Sequence, residues 1–265
     1  SEIKFGSKFP IDKAFKKTLE SNTLWNNSVL GGFLKTNIEL KELKEVTDWF
    51  VKYLKPIVLS KTELDDYVTS EIESNTIKKT DVVKILKKAD FNISNIIINE
   101  EKQELDEKVL KVLDVLELSE TVKERIKSNP LKKIALEHFI DGKTYSLPFD
   151  FESQGTQRYY GFAGLLTILI KDSTAIPIDE LESSLHPDLF IHFLLSFLIN
   201  SKSSQLIATT HSREILNNKD IFRNDAIWFT NKNENCATEL YSLTDFDSSV
   251  IRDTSNVYNA YKIGK

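Results

Sequence analysis

Two adjacent carboxylates, Asp179 and Glu180, follow the apolar run AIPI. At the carboxyl end of a parallel strand, an Asp can hold Mg²⁺ directly or through water, and the next carboxylate can polarise an attacking water molecule. This pairing suits the hydrolysis of a nucleotide phosphate. Adjacent acids also occur as the polar end of a buried strand, so the pair taken alone leaves both interpretations open.

A second group of candidates lies in the segment ESQGTQR. Ser153, Gly155 and Thr156 would offer hydroxyl groups and an unobstructed backbone where a loop enters a helix. The N-terminus of a helix is a natural site for an anion such as a phosphate group. A plain helix cap followed by a glycine turn would use the same residue types, and this alternative stays open.

The third candidate is His211, which ends the run QLIATTH. A histidine at a strand end can hydrogen-bond a γ-phosphate or orient a water molecule, because imidazole exchanges protons near neutral pH. A lone histidine is also common as a structural residue. About 25 residues separate Ser153 from the acids and about 30 separate the acids from His211. Each interval has room for one helix, so the features would share the carboxyl edge of neighbouring strands.

The elements that must position these residues belong to an α/β pattern. The segments KIALEHFI and KTYSLPFDF predict two strands, joined by a hairpin at Asp141-Gly142 because this dipeptide suits the positive φ angles of a type I′ turn. The following segments alternate between helix and strand: a helix at Phe162–Leu169, the strand AIPID, a helix beginning at Pro187, the strand QLIATTH, a short helix at Arg213–Asn218, and the strands AIWFTNK and TELYSL. This alternation predicts an α/β fold with a mostly parallel sheet. Pro177 lacks an N–H, so we expect its strand to be irregular there or to pair only from Ile178 onward.

Residues 1–128 carry a different pattern. Apolar residues recur at helical spacing in three sets: Leu40, Leu43, Val46 and Phe50; Val82, Ile85 and Leu86; Val109, Val112, Leu113 and Leu116. Asn92–Asn99 resembles a short strand between two of these helices. We therefore predict a helical arm or subdomain at residues 1–128 and an α/β lobe at residues 129–265.

Composition narrows the function classes. The formal net charge is −5. This charge does not favour nucleic-acid binding, although such binding remains possible. No apolar run approaches the roughly 18 residues of a membrane span, so we expect no membrane association. The single cysteine, Cys236, and the lack of a secretory leader predict a cytoplasmic protein. The chain has no methionine and opens within a strand-like pattern, which indicates a processed, truncated or incompletely recorded chain.

Taken together, SQGTQR, IPIDELESSLHP and ATTHS resemble the signature motif, the Walker B motif with its D-loop, and the switch histidine of ABC-type ATPases. The closest resemblance is to the soluble branch that includes the SMC and RecF proteins. Within that branch it is to the bacterial AAA-family defence ATPases related to the overcoming-lysogenisation-defect and abortive-infection proteins. It covers residues 133–265 well and the helical region only loosely.

The resemblance implies a role for each matching residue. Asp179 would assist Mg²⁺ coordination, Glu180 would activate the hydrolytic water, and His211 would sense the γ-phosphate of ATP. Ser153 and Gly155, with Thr156 in the same turn, would bind the nucleotide held by the opposite subunit. Glu182 and Ser184 would lie in a loop that crosses the dimer interface. Gln157 and Arg158 would support the signature turn, and His186 would be a structural residue.

One family motif is missing. ABC-type ATPases hold phosphates with a G-x-x-x-x-G-K-[ST] loop, and none of the eight glycines is followed by Lys-Ser/Thr in that frame. The nearest match, Gly31–Thr36, has the wrong spacing and lies in a helix-like run, so we reject it. We expect this chain alone to bind ATP poorly and to hydrolyse it negligibly.

The leading hypothesis is the C-terminal part of an ATPase that uses ATP and Mg²⁺, forms a homodimer around the nucleotide, and gates an anti-phage defence or DNA-processing effector, such as a nuclease-like protein. The first alternative is a non-catalytic, ATPase-like interaction module. The second is a metal-dependent nuclease that uses Asp179, Glu180 and Glu182, which would leave the SQGTQR turn and His211 without roles.

Overall fold

The structure is a computed structural model that describes residues 2–6, 9, 11–101, 131–217, 221–246, 258 and 261. The helices are α1 (Lys13–Asn22), α2 (Val29–Phe33), α3 (Lys41–Asp48), α4 (Asp65–Glu73), α5 (Lys79–Lys88), α6 (Gln154–Lys171), α7 (Pro187–Asn200) and α8 (Glu214–Asn217). The strands are β1 (Ile93–Glu101), β2 (Leu131–Ile140), β3 (Lys143–Pro148), β4 (Ala175–Ile178), β5 (Gln205–Ala208), β6 (Trp228–Lys232) and β7 (Thr238–Ser242). Among these described helices, none is long and apolar enough to cross a membrane.

Strands β1, β2 and β3 form an antiparallel sheet in that order. The strand predicted at Asn92–Asn99 is confirmed as β1, and the predicted hairpin is confirmed by the pairing of Ile140 with Lys143. Both turn residues have positive φ, 50° at Asp141 and 78° at Gly142. A type I′ turn requires this at both central positions, so the sequence Asp-Gly fixes the register of the hairpin.

Strand β4, which leads to the acidic pair, lies between two parallel neighbours. On one side it pairs with β5 from Ala175 to Ile178, so the expectation that pairing starts only at Ile178 is wrong. On the other side, residues 54–58 form isolated parallel bridges with it, including a 2.9 Å hydrogen bond from Val58 N–H to the Pro177 carbonyl. The missing N–H of Pro177 faces this second side, which explains why the continuous ladder runs along β5.

The mixed α/β content is confirmed, whereas the mostly parallel sheet is not. Among the described strands, β4 and β5 pair in parallel, but β6 and β7 form an antiparallel pair, as do the strands of the first sheet. The segments AIWFTNK and TELYSL are joined by a tight turn in which Asn233 N–H bonds the Ala237 carbonyl. A connection this short permits only antiparallel pairing.

The main core is built around α6, whose side chains are buried along most of its length. Residues from α4 and α5, including Val68, Val82 and Leu86, pack in the same core as Phe162 and Leu166 of α6. The core that positions the candidate site therefore draws on residues before and after position 128, and the division predicted there stays a prediction. A separate small cluster contains residues of the first three helices: Phe15, Leu19, Phe33 and Leu43. The predicted helix with Val109 and Leu116 lies outside the described residues.

Candidate functional site at the carboxyl ends of β4 and β5

The acidic pair lies at the carboxyl end of β4, as the sequence predicts. Asp179 N–H donates to the Val58 carbonyl at 2.8 Å, which continues the pairing with residues 54–58. Glu180 has a φ of 48°, in the left-handed region that residues with a Cβ seldom adopt. This conformation turns the chain out of the strand, and the buried side chain of Leu181 anchors the next residue in the core.

Thr209, the residue after β5, connects to the whole acidic segment. Its N–H donates to the Ile178 carbonyl at 3.0 Å, and its carbonyl accepts from Leu181 N–H at 3.1 Å. Its hydroxyl donates to Asp179 Oδ1 at 2.5 Å and accepts from Glu180 N–H at 2.9 Å. Four consecutive residues are therefore held by one threonine, which the sequence analysis did not single out.

His211 lies beside the acids, as the spacing of the motifs predicts. Its Nε2 is 3.7 Å from Glu180 Oε1, and both side chains are solvent-accessible, with exposed fractions of 86% and 42%. Its backbone N–H donates to Glu182 Oε1 at 2.6 Å. Glu182 Oε2 is buried without a hydrogen-bond partner in the described part of the chain. The structure thus places Glu182 as a link between the acidic loop and the loop that carries His211.

The signature-like turn forms the N-terminus of α6. Ser153 is the N-cap, and its Oγ accepts from Thr156 N–H at 3.0 Å and lies 2.8 Å from Thr156 Oγ1. Capping by Ser at this position satisfies one of the free N–H groups of the helix end. A Cβ added at Gly155 would lie 3.5 Å from the carbonyl oxygen of Ser184, so the turn and the loop after Glu182 approach each other within one subunit. Ser153 and Ser184 are exposed at this approach.

The side chains of Gln157 and Arg158, which follow the turn, donate hydrogen bonds to backbone carbonyls. Gln157 Nε2 donates to the carbonyls of Phe149, at 2.8 Å, and Glu152, at 3.3 Å. Arg158 Nη1 donates to the Thr62 carbonyl at 2.8 Å, and burial lowers the pKa of this guanidinium. The supporting roles expected for these two residues agree with these contacts.

Two further features escaped the sequence analysis. His138 of β2 lies 2.6 Å from the Glu152 carboxylate, whose side chain is only 6% exposed, immediately before Ser153. Residues 54–58 run beside β4, but Pro56 and the exposed residues around it hide a strand pattern in the sequence. The contact between His138 and Glu152 leaves no local signal in the sequence. Thr209, by contrast, could have been found from the sequence, because it is a polar residue that follows the strand beside the acids.

His186 and the second oxygen of the Asp179 carboxylate complete the description of the site. His186 is the N-cap of α7, where its Nδ1 accepts from Asp188 N–H at 3.3 Å, in agreement with a structural role. Asp179 Oδ1 is engaged by Thr209, while its Oδ2 has no hydrogen-bond partner within the described ranges. A free carboxylate oxygen at a strand end is the ligand type that Mg²⁺ prefers. The described residues contain no group of three or more His, Cys, Asp or Glu side chains arranged to hold a metal.

Comparison with known proteins finds a match to a protein family. Residues 11–217 match the family described as "AAA domain, putative AbiEii toxin, Type IV TA system". The matched segment covers most of the chain and includes the Ser153 turn, the acidic pair and His211. No curated protein shows a significant match to the chain.

Proposed function

The chain belongs to this AAA-domain family, and from this premise we propose that it is the C-terminal portion of an ABC-type switch protein that binds and hydrolyses ATP. The observation that carries the proposal is the convergence of Asp179, Glu180 and His211 at the carboxyl ends of two paired parallel strands. Ligands of α/β proteins bind at this edge of the sheet. Two carboxylates and an imidazole together can bind a metal, accept a proton from water and orient a phosphate oxygen.

Each residue has a distinct task in the proposed reaction. Asp179 would hold Mg²⁺ through Oδ2, and the bound ion would neutralise negative charge on the phosphates. Glu180 is half exposed, so water can reach its carboxylate, which accepts the proton as that water attacks. The His211 imidazole, 3.7 Å from this carboxylate, can hydrogen-bond the γ-phosphate or the attacking water.

The phosphate-binding loop is the part that these residues do not supply. The 265 residues contain no G-x-x-x-x-G-K-[ST] motif. The nearest run begins inside α2, where Gly31 and Gly32 are helical and a Cβ on Gly32 would meet Thr23 Oγ1 at 2.4 Å. The Gly31 N–H already donates to Ser28 Oγ and the Gly32 N–H to the Ser28 carbonyl, so neither is available to cradle a phosphate. Hydrolysis is therefore assigned to a protein that contains such a loop together with this chain.

Dimerisation around ATP is the second part of the proposal. The exposed Ser153 hydroxyl and the exposed Ser184 lie on one surface, where the N-terminus of the 18-residue helix α6 attracts an anion. A nucleotide held by a second copy could bridge to this surface, and hydrolysis would release the bridge. A nuclease-like effector and a cytoplasmic location belong to the same proposal, and the net charge of −5 gives no support for nucleic acid as a partner.

The test uses the product of the complete encoding gene. We expect Mg²⁺-dependent ATP hydrolysis, a decrease of at least about 100-fold in Glu180→Gln, and an ATP-dependent dimer that accumulates in this variant, measured by light scattering. Glu234→Gln, an exposed change in the turn between β6 and β7, is the matched control and should retain wild-type activity. Equal activity in Glu180→Gln and wild type would refute the assignment of the base.

Experiments on the same complete protein also test the two alternative functions. A gene without an upstream phosphate loop, whose product binds no ATP, would support the non-catalytic interaction module. The nuclease alternative needs Asp179, Glu180 and Glu182 together as metal ligands, and the described residues contain no group of three such side chains arranged to hold a metal. Mg²⁺-dependent cleavage of DNA or RNA that is lost in Asp179→Ala would favour this alternative over the ATPase.

A further inference from the structure

The hydroxyl of Thr209 bonds both residues of the acidic pair. A threonine hydroxyl has one proton to donate and lone pairs to accept with. Its proton is directed to Asp179 Oδ1, and a lone pair receives Glu180 N–H. Since the threonine is exposed and could bond water instead, the arrangement is not forced by the need to satisfy a buried hydroxyl.

The consequence for Asp179 concerns the orientation of its carboxylate. With Oδ1 held by Thr209 at 2.5 Å, the other oxygen has no hydrogen-bond partner among the described residues and is available to a ligand. Groups that orient metal-binding carboxylates in this manner change metal affinity or activity by about 10- to 100-fold when they are removed.

The consequence for Glu180 concerns its backbone. At a φ of 48°, Glu180 has left the strand, so its N–H has no partner in a β-ladder. The Thr209 hydroxyl supplies that partner at 2.9 Å. The conformation that directs the Glu180 side chain toward His211 is thus supported by a side chain from the neighbouring strand.

We propose that Thr209 is a positioning residue, whose hydroxyl orients the Asp179 carboxylate for Mg²⁺ and holds the backbone of Glu180 for activation of water. This inference rests on the proposed ATPase function. It assigns to the first threonine of the ATTHS segment a role separate from that of His211, because its contacts are all to the acidic segment.

The test compares Thr209→Val, which keeps the branched shape and removes the hydroxyl, with Thr209→Ser, which keeps the hydroxyl. In the complete protein, Thr209→Val should raise the Mg²⁺ concentration for half-maximal hydrolysis by about 10- to 100-fold and lower kcat. The KM for ATP should change much less, because the phosphate contacts lie elsewhere. Thr209→Ser should stay within a few-fold of wild type, and Thr209→Ala should behave as Thr209→Val.

A second readout does not depend on hydrolysis. Residue-resolved hydrogen exchange should show the Glu180 amide exchanging at least about tenfold faster in Thr209→Val. The Leu181 amide, which bonds the Thr209 backbone carbonyl, should keep its rate and serves as an internal control. Unchanged Glu180 exchange and Mg²⁺ dependence would overturn the proposal, even where Glu180→Gln abolishes hydrolysis. Faster Glu180 exchange in a protein whose hydrolysis does not need Glu180 would locate the error in the proposed function instead.

Discussion

Replacing Gly164 of α6 with alanine should destabilise the protein, although alanine favours helices more than glycine. A Cβ at this position would lie 2.3 Å and 2.7 Å from the two γ-carbons of Val68, a fully buried residue of α4. In an unobstructed helix the change would stabilise by about 1 kcal/mol. Overpacking of a tight core costs about 1–3 kcal/mol, and the clash here is with a stiff branched side chain. The short distances and the stiff side chain place the cost in the upper half of that range, so after the gain in helix propensity we expect a net loss of about 1–2 kcal/mol.

A double-mutant cycle with Val68→Ala isolates the contact. Val68→Ala alone removes two methyl groups, at about 0.8 kcal/mol each in transfer free energy, and leaves a cavity, so about 2 kcal/mol should be lost. In the double variant the new methyl group of residue 164 enters the vacated space. The cost should therefore be smaller than the sum of the single costs by at least about 1 kcal/mol.

The assay is urea denaturation of the four proteins, monitored by circular dichroism. Gly155→Ala is the matched control in the same helix, because a Cβ there has its nearest neighbour at 3.5 Å, an ordinary contact. It should be at least as stable as wild type, because the helix propensity of alanine is gained there without a clash. If Gly164→Ala is as stable as wild type, or if the two changes are additive, the close packing of α4 on α6 at this position is refuted.

Three further predictions concern strain, a buried pair and pH. Glu180→Gly should be more stable than Glu180→Ala by up to about 1 kcal/mol in urea denaturation, because glycine avoids the cost of a Cβ at a φ of 48°, about 1–2 kcal/mol, less its own entropic cost; greater stability of the alanine variant would contradict this. His138→Phe should lower the free energy of unfolding by about 1–3 kcal/mol, because it leaves the Glu152 carboxylate buried without its partner, and a smaller cost in a Glu152→Leu background would identify the pair as the cause. Burial, with a smaller effect from a nearby lysine, lowers the pKa of His192, whose Nδ1 lies 2.5 Å from the Tyr159 hydroxyl. As the pH falls, the imidazole is therefore protonated in the unfolded chain before it is protonated in the folded protein. Stability should be full above about pH 6.5 and should fall as the pH drops toward the folded pKa. Thermal melts between pH 5 and 8 should show a weaker slope in His192→Gln, and an unchanged slope would assign the effect to another group.

Local signals account for the elements that were predicted correctly from the sequence. The Asp141-Gly142 hairpin follows from turn chemistry, and Pro187 marks the start of α7 because its missing N–H is not needed there. The order of the acidic pair and His211 predicted their proximity, because consecutive parallel strands end at one edge. In each case the physical cause lies within a few residues or in a simple rule of topology.

The features that the sequence analysis missed are contacts between different elements, which no local pattern marks. Residues 54–58 pair with β4 across more than a hundred positions, and their pattern is broken by Pro56. The His138–Glu152 pair joins the edge of the ESQGTQR segment to a strand residue that carries no recognisable motif. The mostly parallel sheet is not confirmed, since β6 and β7 pair antiparallel, and the alternation of elements alone does not show that their connection is too short for a crossover.

Hydrogen bonds from the backbone segments on both sides fix the conformation of the acidic loop, residues 179–184. Val58 holds the Asp179 N–H from one side, and Thr209 holds the next residues from the other. Glu180 and Ser184 both have positive φ, at 48° and 62°, and such backbone persists only where surrounding contacts determine it. The buried Leu181 lies between them and fixes the loop to the core. The geometry of the proposed base and metal ligand is therefore formed within the chain itself, so the phosphate loop would need to deliver the nucleotide and would not need to assemble the acids.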